Sequence, residues 1–440
     1  MSASVSHVLL PMVRLRAAKS RALGTSVAAA NAARAPCIDG KGRLEWNGCH
    51  RHDGQGEGMK RMYLGLLVML ALVLAGTAQA ATCPMPAQAV QVAVPGHPFS
   101  ALSSTDGCWL FVSLTIDRKH GAVAVLRNRG GVFQLDHTVP LPAPAFGESL
   151  SRDGTLLAIA ERNGADVFDV AQLESAQGHP LLGELSDGRG SQAVYTLISS
   201  DGRLLFVSQE LAHAVSVFDL AKARGSGFRD DALVGRIPMA LAPVGLAQSP
   251  DGRWLYATSE VAARTAGLAA TCKPETKDER MHPPGLLFRI DVAKAAQEPR
   301  KAVLGAVVAG CNPVRVAVAS LGGAIWVTAR GSNALLEFHA DDLLANSGKT
   351  GYASFAIGTS PVGVAVRPDG KQVWAALSSR FGNATAGQLA GLALVDGAPK
   401  ELLKAPASGF PREVSFLPDG RTLMATLYAD DRIELVPTPP

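Results

Sequence analysis

Arg315, Glu413 and Tyr195 occupy one place in a repeated pattern whose other copies carry Ser100, Gly147, Gly245 and Gly363 there. A guanidinium, a carboxylate and a phenol set among small residues have two chemical uses. Arginine gives paired, charge-assisted hydrogen bonds, which suits an anionic or hydroxyl-rich small molecule. A carboxylate beside a cation can also activate water against a carbonyl that the cation polarises. A second aligned place reads Thr115, Arg162, Glu210, Glu260, Arg330, Ser378 and Tyr428. The candidate ligand-binding set is therefore Tyr195, Glu210, Glu260, Arg315, Arg330 and Glu413, with Arg315 and Arg330 as donors. A structural use competes with it: a buried Arg315 needs an acceptor, and Glu413 supplies one. His97 and His213 fall on the same side of the repeat and read as surface histidines. No GxSxG and no Ser/His/Asp set with a family spacing occurs, so nucleophilic hydrolysis lacks its usual marker. After residue 80 the chain has no CxxC, HxH or HExxH, which leaves zinc and haem without a signal; no metal and no cofactor is expected.

These residues are positioned by a repeat. Asp-Gly turns at Asp106-Gly107, Asp153-Gly154, Asp201-Gly202, Asp251-Gly252, Asp369-Gly370 and Asp419-Gly420, with a degenerate Ser320-Leu321-Gly322-Gly323, are spaced 47, 48, 50, 71, 47 and 50 residues apart. In the sixth copy Pro361–Val366 reads as an inner strand, 371–376 as the second, 391–395 as the third, and 401–403 begins the fourth. Such β-branched and aromatic runs between Gly, Pro, Asp and Ser are half-buried strands, and glycine accepts the positive φ that the tight turn demands. Four strands per period of this length predict an all-β, seven-bladed β-propeller. The last copy stops after its third strand (432–436). The segment 89–96 ahead of the first copy has the pattern of the missing outer strand and would close the ring.

The stretches Pro243-Val244-Gly245-Leu246-Ala247-Gln248-Ser249-Pro250-Asp251-Gly252-Arg253-Trp254-Leu255-Tyr256-Ala257-Thr258 and Trp326-Val327-Thr328-Ala329-Arg330-Gly331-Ser332-Asn333-Ala334-Leu335-Leu336 resemble the YVTN family of β-propellers, which includes lactonase-like and surface-layer members. The resemblance runs from about residue 89 to 436. It implies seven blades around a central channel with ligands held at one mouth. It also implies the alternative activity, hydrolysis of non-phosphorylated lactones by polar side chains at the channel. The first reading is a binding or scaffold protein.

The chain divides further. Met59-Lys60-Arg61-Met62, the apolar run 63–75 and Gly76-Thr77-Ala78-Gln79-Ala80 form an export signal cut after Ala80. The run is short of the roughly 20 apolar residues that span a bilayer, so no membrane span remains after cleavage. Residues 1–58 are expected to be a leader, disordered or upstream of the true start; 59–80 the signal; and 81–440 the propeller, with an insertion at about 261–284 in the fourth blade. Residues 81–440 carry 32 basic and 34 acidic side chains, so the overall pI of 8.7 belongs to the leader and gives no case for nucleic acid as a partner. The partner expected is a small molecule or protein at the channel mouth of a periplasmic or secreted monomer. Four cysteines remain: Cys83, Cys108, Cys272 and Cys311. An even count in an exported chain points to disulfides. Cys83 precedes the closing strand and Cys108 lies in the first hairpin; Cys272 lies in the insertion and Cys311 opens the next blade. These neighbours are the expected pairs, and sequence alone leaves the other connectivities open.

Overall fold

The computed structural model describes residues 82–188, 190–228, 232–274, 280–320, 323–343, 351–378 and 387–440, together with the backbone of two paired two-residue strands, Cys37–Ile38 and Leu44–Glu45. The chain divides into two units, Met1–Ala78 and Gln79–Pro440. Apart from those two strands, the expected leader (1–58) and the expected export signal (59–80) lie outside the described residues, as do Leu321 and Gly322 of the degenerate turn. No helix among the described residues is long and apolar enough to cross a membrane.

Gln79–Pro440 folds as seven four-stranded antiparallel sheets. Each begins with an inner strand: His97–Ser103, Ala145–Leu150, Ala193–Ile198, Leu241–Gln248, Pro313–Val318, Pro361–Val366 and Pro411–Phe416 in blades 1 to 7. Consecutive inner strands touch around the whole circle, blade 7 against blade 1 included. The expected closure is present. Val90–Ala93 is the outer strand of blade 7 and pairs with Arg432–Leu435, Val90 opposite Leu435 and Ala93 opposite Arg432.

Two local devices build the ring. At each turn the Asp side chain satisfies the hairpin: Ser151 Oγ donates to Asp153 at 2.6 Å, and the Thr155 amide donates to the same oxygen at 3.1 Å. The hydroxyls of Ser113, Ser208, Thr258, Thr328 and Thr426, on second strands, accept the inner-strand amides of Ser100, Tyr195, Gly245, Arg315 and Glu413 at 3.0–3.1 Å. Those amides sit at a β-bulge, where one residue too many leaves the ladder unable to pair every N–H. Four of these hydroxyls, those of Ser208, Thr258, Thr328 and Thr426, also staple the next blade: Thr258 donates to the Val314 carbonyl at 2.9 Å and Thr426 to that of Phe99 at 3.2 Å. Apolar cores fill the wedges between blades, as where Phe111, Val123 and Val125 of blade 1 meet Leu157, Ile159 and Phe168 of blade 2.

Three short helices join third to outer strands: Val170–Ser175, Leu220–Ser226 and Val292–Ala295, N-capped by Asp169, Asp219 and Asp291.

Both expected disulfides form. Cys83–Cys108 has a Cα separation of 5.1 Å and Cys272–Cys311 one of 5.5 Å. The second ties the blade-4 insertion, which otherwise holds itself by a bridge between Cys272 and His282, to the start of blade 5. Replacing Cys272 and Cys311 by serine is expected to lower stability by about 2–4 kcal/mol. Denaturant midpoints of the two proteins under non-reducing conditions measure this, and equal midpoints would show that the bridge holds only a loop.

Candidate functional site

The channel is closed by its own bulges. Phe99, Val194 and Val244 are the extra residues of their inner strands; with Val314, Val362 and the partly buried Phe146 they form one buried apolar cluster on the axis. Phe99 and Phe146 meet edge to face at 5.2 Å. The seventh place in this layer belongs to Arg412, whose guanidinium carbon lies 3.8 Å from the centre of the Phe99 ring.

The next residue of each inner strand is the aligned place with which the sequence reading began. Arg315 of blade 5 and Glu413 of blade 7, one blade apart, pair: Nε donates to Glu413 Oε1 at 2.7 Å, and Nη2 approaches the same oxygen at 2.7 Å. Both are buried, with 4% and 7% of their surface exposed. Nη1 also donates to the Val244 carbonyl at 3.3 Å, and the guanidinium stands 4.7 Å from the centre of the Tyr195 ring. Burial, and after it the charge of Glu413, pushes the Tyr195 phenol above its ordinary range. Small residues at this layer serve its crowding: a Cβ on Gly147 would lie 2.0 Å from the Tyr195 ring.

The second aligned place lies at the rim. Arg330 donates to Glu260 Oε2 at 3.1 Å, beside the tethered insertion, since the Gly331 amide bonds to the Cys311 carbonyl. The Glu210 carbonyl faces His213 Nδ1 at 3.1 Å. Of the six candidate residues, Arg315 and Glu413 form a buried pair against the partly buried Tyr195, and Glu260 and Arg330 pair at the rim.

A further cluster joins blades 7 and 1 at the same mouth. Tyr428 stacks on His97 with centroids 5.1 Å apart and meets Phe410 edge-on at 5.8 Å. The Arg412 guanidinium is 5.3 Å from Tyr428 and 5.7 Å from Phe410. His97 Nδ1 is 2.7 Å from Asp431, both side chains being nearly half exposed. Unlike the buried Arg315–Glu413 pair, His97, Phe410, Arg412 and Tyr428 all keep part of their surface open. Tyr428 stood in the second aligned place, and His97 was read as a surface histidine on the same side; Phe410 and Arg412 carried no signal short of comparing the residue before the aligned place. Among the described residues no group of His, Cys, Asp or Glu is arranged to hold a metal ion.

Seven four-stranded blades around an axial apolar plug define a closed β-propeller. No family model matches the chain, and no curated protein matches it in sequence. Among solved structures it is similar to hydrazine synthase from Kuenenia stuttgartiensis, with a TM-score of 0.57 and 18% identity over 79% of this chain and 97% of that one. It is also similar to the β-propeller domain of Cps50 (Swd1) from Myceliophteria thermophila, with a TM-score of 0.53 and 13% identity over 77% and 96%. At such identities the likeness is one of fold.

Proposed function

We propose that the chain is an exported β-propeller of YVTN type that acts as a monomeric binding or scaffold protein, taking an anionic or hydroxyl-rich small molecule, or a protein segment presenting such groups, at the channel mouth. The observation that carries this is the partly exposed cluster of His97, Phe410 and Tyr428 with Arg412, whose guanidinium joins them to the sealed axis at Phe99. Aromatic faces and a guanidinium at a concave mouth supply stacking and paired hydrogen bonds together. Two disulfides suit the oxidising compartment to which the signal would deliver the chain. The Glu260–Arg330 pair at the rim would add the second charge sign.

The hydrolytic alternative needs a carboxylate open to water beside a cation open to substrate. Glu413 and Arg315 hold one another out of solvent, and Glu260 holds Arg330. Nothing in this arrangement favours lactone hydrolysis over binding.

Thermal-shift screening of the protein against carboxylates, sugars, lactones and peptides tests the proposal. Tyr428→Ala is expected to weaken any protective ligand about tenfold or more, since truncating an anchoring aromatic costs on the order of 2 kcal/mol. A ligand whose affinity is untouched by that change binds elsewhere.

A further inference from the structure

Blade 2 gathers three buried carboxyls at places where most other blades carry apolar or hydroxyl side chains. Glu148 follows the aligned place of the inner strand, and its counterparts are Ala101, Thr196, Leu246, Val316, Val364 and Val414. It pairs across the sheet with Ile159, Ile159 with Asp166, and Asp166 with Glu184, so this row of side chains projects from one face. Glu161, two residues beyond Ile159, stands on the same face. That face packs on blade 1 through Phe111, Val123 and Val125. Glu148, Glu161 and Asp166 are each at most 2% exposed. Neither oxygen of Glu148, neither of Glu161, nor Oδ2 of Asp166 meets a hydrogen-bond donor.

The cationic compensation is small. Arg162, with its side chain 41% exposed, caps the group: Nε is 3.8 Å from Glu161 Oε1, Nη1 is 3.8 Å from Glu184 Oε2, and Nη2 donates to the Pro142 carbonyl on the linker from blade 1 at 3.1 Å. From blade 1 the charged groups at the margins of this face are His137, held by Asp136, and the exposed Arg127. From blade 3 the neighbour is Tyr195, which feels the charge of Glu148. One half-exposed guanidinium cannot balance four carboxylates, so protons must remain. A proton on Asp166 also removes a conflict of geometry. Asp166 lies within hydrogen-bonding reach of Glu161, and two carboxylates facing each other are both acceptors. Burial, then the hydrogen bond and charge of Glu161 and the charge of Glu184, push the Asp166 carboxyl up to about 9 against the pull of Arg162. Burial alone raises Glu148 well above the usual carboxylate range.

We propose that the joint between blades 1 and 2 is a proton-locked joint: Asp166 donates its proton to Glu161, Glu148 stays neutral beside them, and release of these protons to alkaline solvent parts the two blades. At the matching third-strand place Ala124, Ser216, Phe288, Leu336 and Ala390 carry no carboxyl, while Glu434 of blade 7 is a buried carboxyl that accepts from Gln91 at 3.4 Å; the blade-5 wedge, with Leu336, is the one expected to stay closed. The sign follows from proton counting. Between about pH 4, where a free aspartate ionises, and about pH 9 the folded chain holds a proton that the unfolded chain does not. Unfolding therefore releases it, and stability falls as pH rises through that window.

The test uses the full exported chain. Hydrogen exchange, corrected for its intrinsic pH dependence, should show Leu156–Asp169 losing protection between about pH 6 and about pH 10 while Ala324–His339 of blade 5 keeps it. Each retained proton shifts the unfolding equilibrium by about tenfold per pH unit, and the Glu161→Gln/Asp166→Asn double variant should flatten that slope. Should the variant not fold, infrared difference spectra of the unaltered protein still decide: a protonated-carboxyl stretch present near pH 7 and lost near pH 10 is expected. A wild-type protein with no such band, or with exchange that rises equally in blades 2 and 5, would overturn the proposal.

Discussion

Deleting residues 81–96 is expected to lower stability by on the order of 5 kcal/mol or more and to leave the ring open. The segment contributes three things that add. The Cys83–Cys108 bridge accounts for about 2–4 kcal/mol. Val94 is buried among Ala101, Leu110, Ile433 and Leu435, with Val90 and Val92 packed at the edge of the same cluster, and burying such a side chain is worth about 1.5–3 kcal/mol when complete. The third contribution is the strand itself, since without it the third strand of blade 7 presents an unpaired edge. Domains have typically about 5–15 kcal/mol to lose, so the truncated chain should melt far lower or aggregate. Cys83→Ser/Cys108→Ser separates the terms: it removes the bridge and keeps the strand. Truncation that melted no lower than this double variant would show that Val90–Ala93 does not hold the ring.

The second large effect is expected at Arg315. Arg315→Ala leaves Glu413 buried at 7% exposure without its cation, a loss of about 3–5 kcal/mol. Replacing both partners, as Arg315→Met/Glu413→Leu, removes the charge and its complement together and should recover most of that stability. The comparison separates strut from site. A strut shows large single losses and a nearly neutral double. If Arg315→Ala instead kept the wild-type melting midpoint, the guanidinium would be free to serve a ligand.

The fold was legible because the repeat writes itself in turns and short strands. Asp-Gly at near-constant spacing, apolar runs of five or six residues and a third strand with no successor together imply seven blades and a borrowed outer strand. The disulfides followed from that topology, because blade order brings Cys272 beside Cys311. The three helices were missed, although Phe168-Asp169-Val170, Phe218-Asp219-Leu220 and Ile290-Asp291-Val292 each place an N-cap after a strand.

The site was legible only in part. Aligning strand positions found the right inner layer, and the pairing of Arg315 with Glu413 was foreseen as the structural outcome. Alignment gives spacing, however, and not direction. The bulge in each inner strand places one additional residue on the axis, so the layer from Phe99 to Arg412 forms the plug, and Arg412 joins it to Phe410 and Tyr428. Nothing in spacing separates Glu210, whose carbonyl faces His213, from Glu260, which ends against Arg330. The carboxyls of blade 2 were equally hidden, for a Glu in a strand reads as solvent-facing until the adjacent blade is set against it.

The central claim is that binding occurs at the mouth above the plug, and competition between binding and the mouth side chains tests it most directly. Titrating the best ligand from the screen into wild-type, Tyr428→Ala and the bottom-face control Arg421→Ala by calorimetry gives three affinities. Binding lost in Tyr428→Ala and retained in wild-type and Arg421→Ala is the expected result. Equal affinity in all three proteins would contradict the claim.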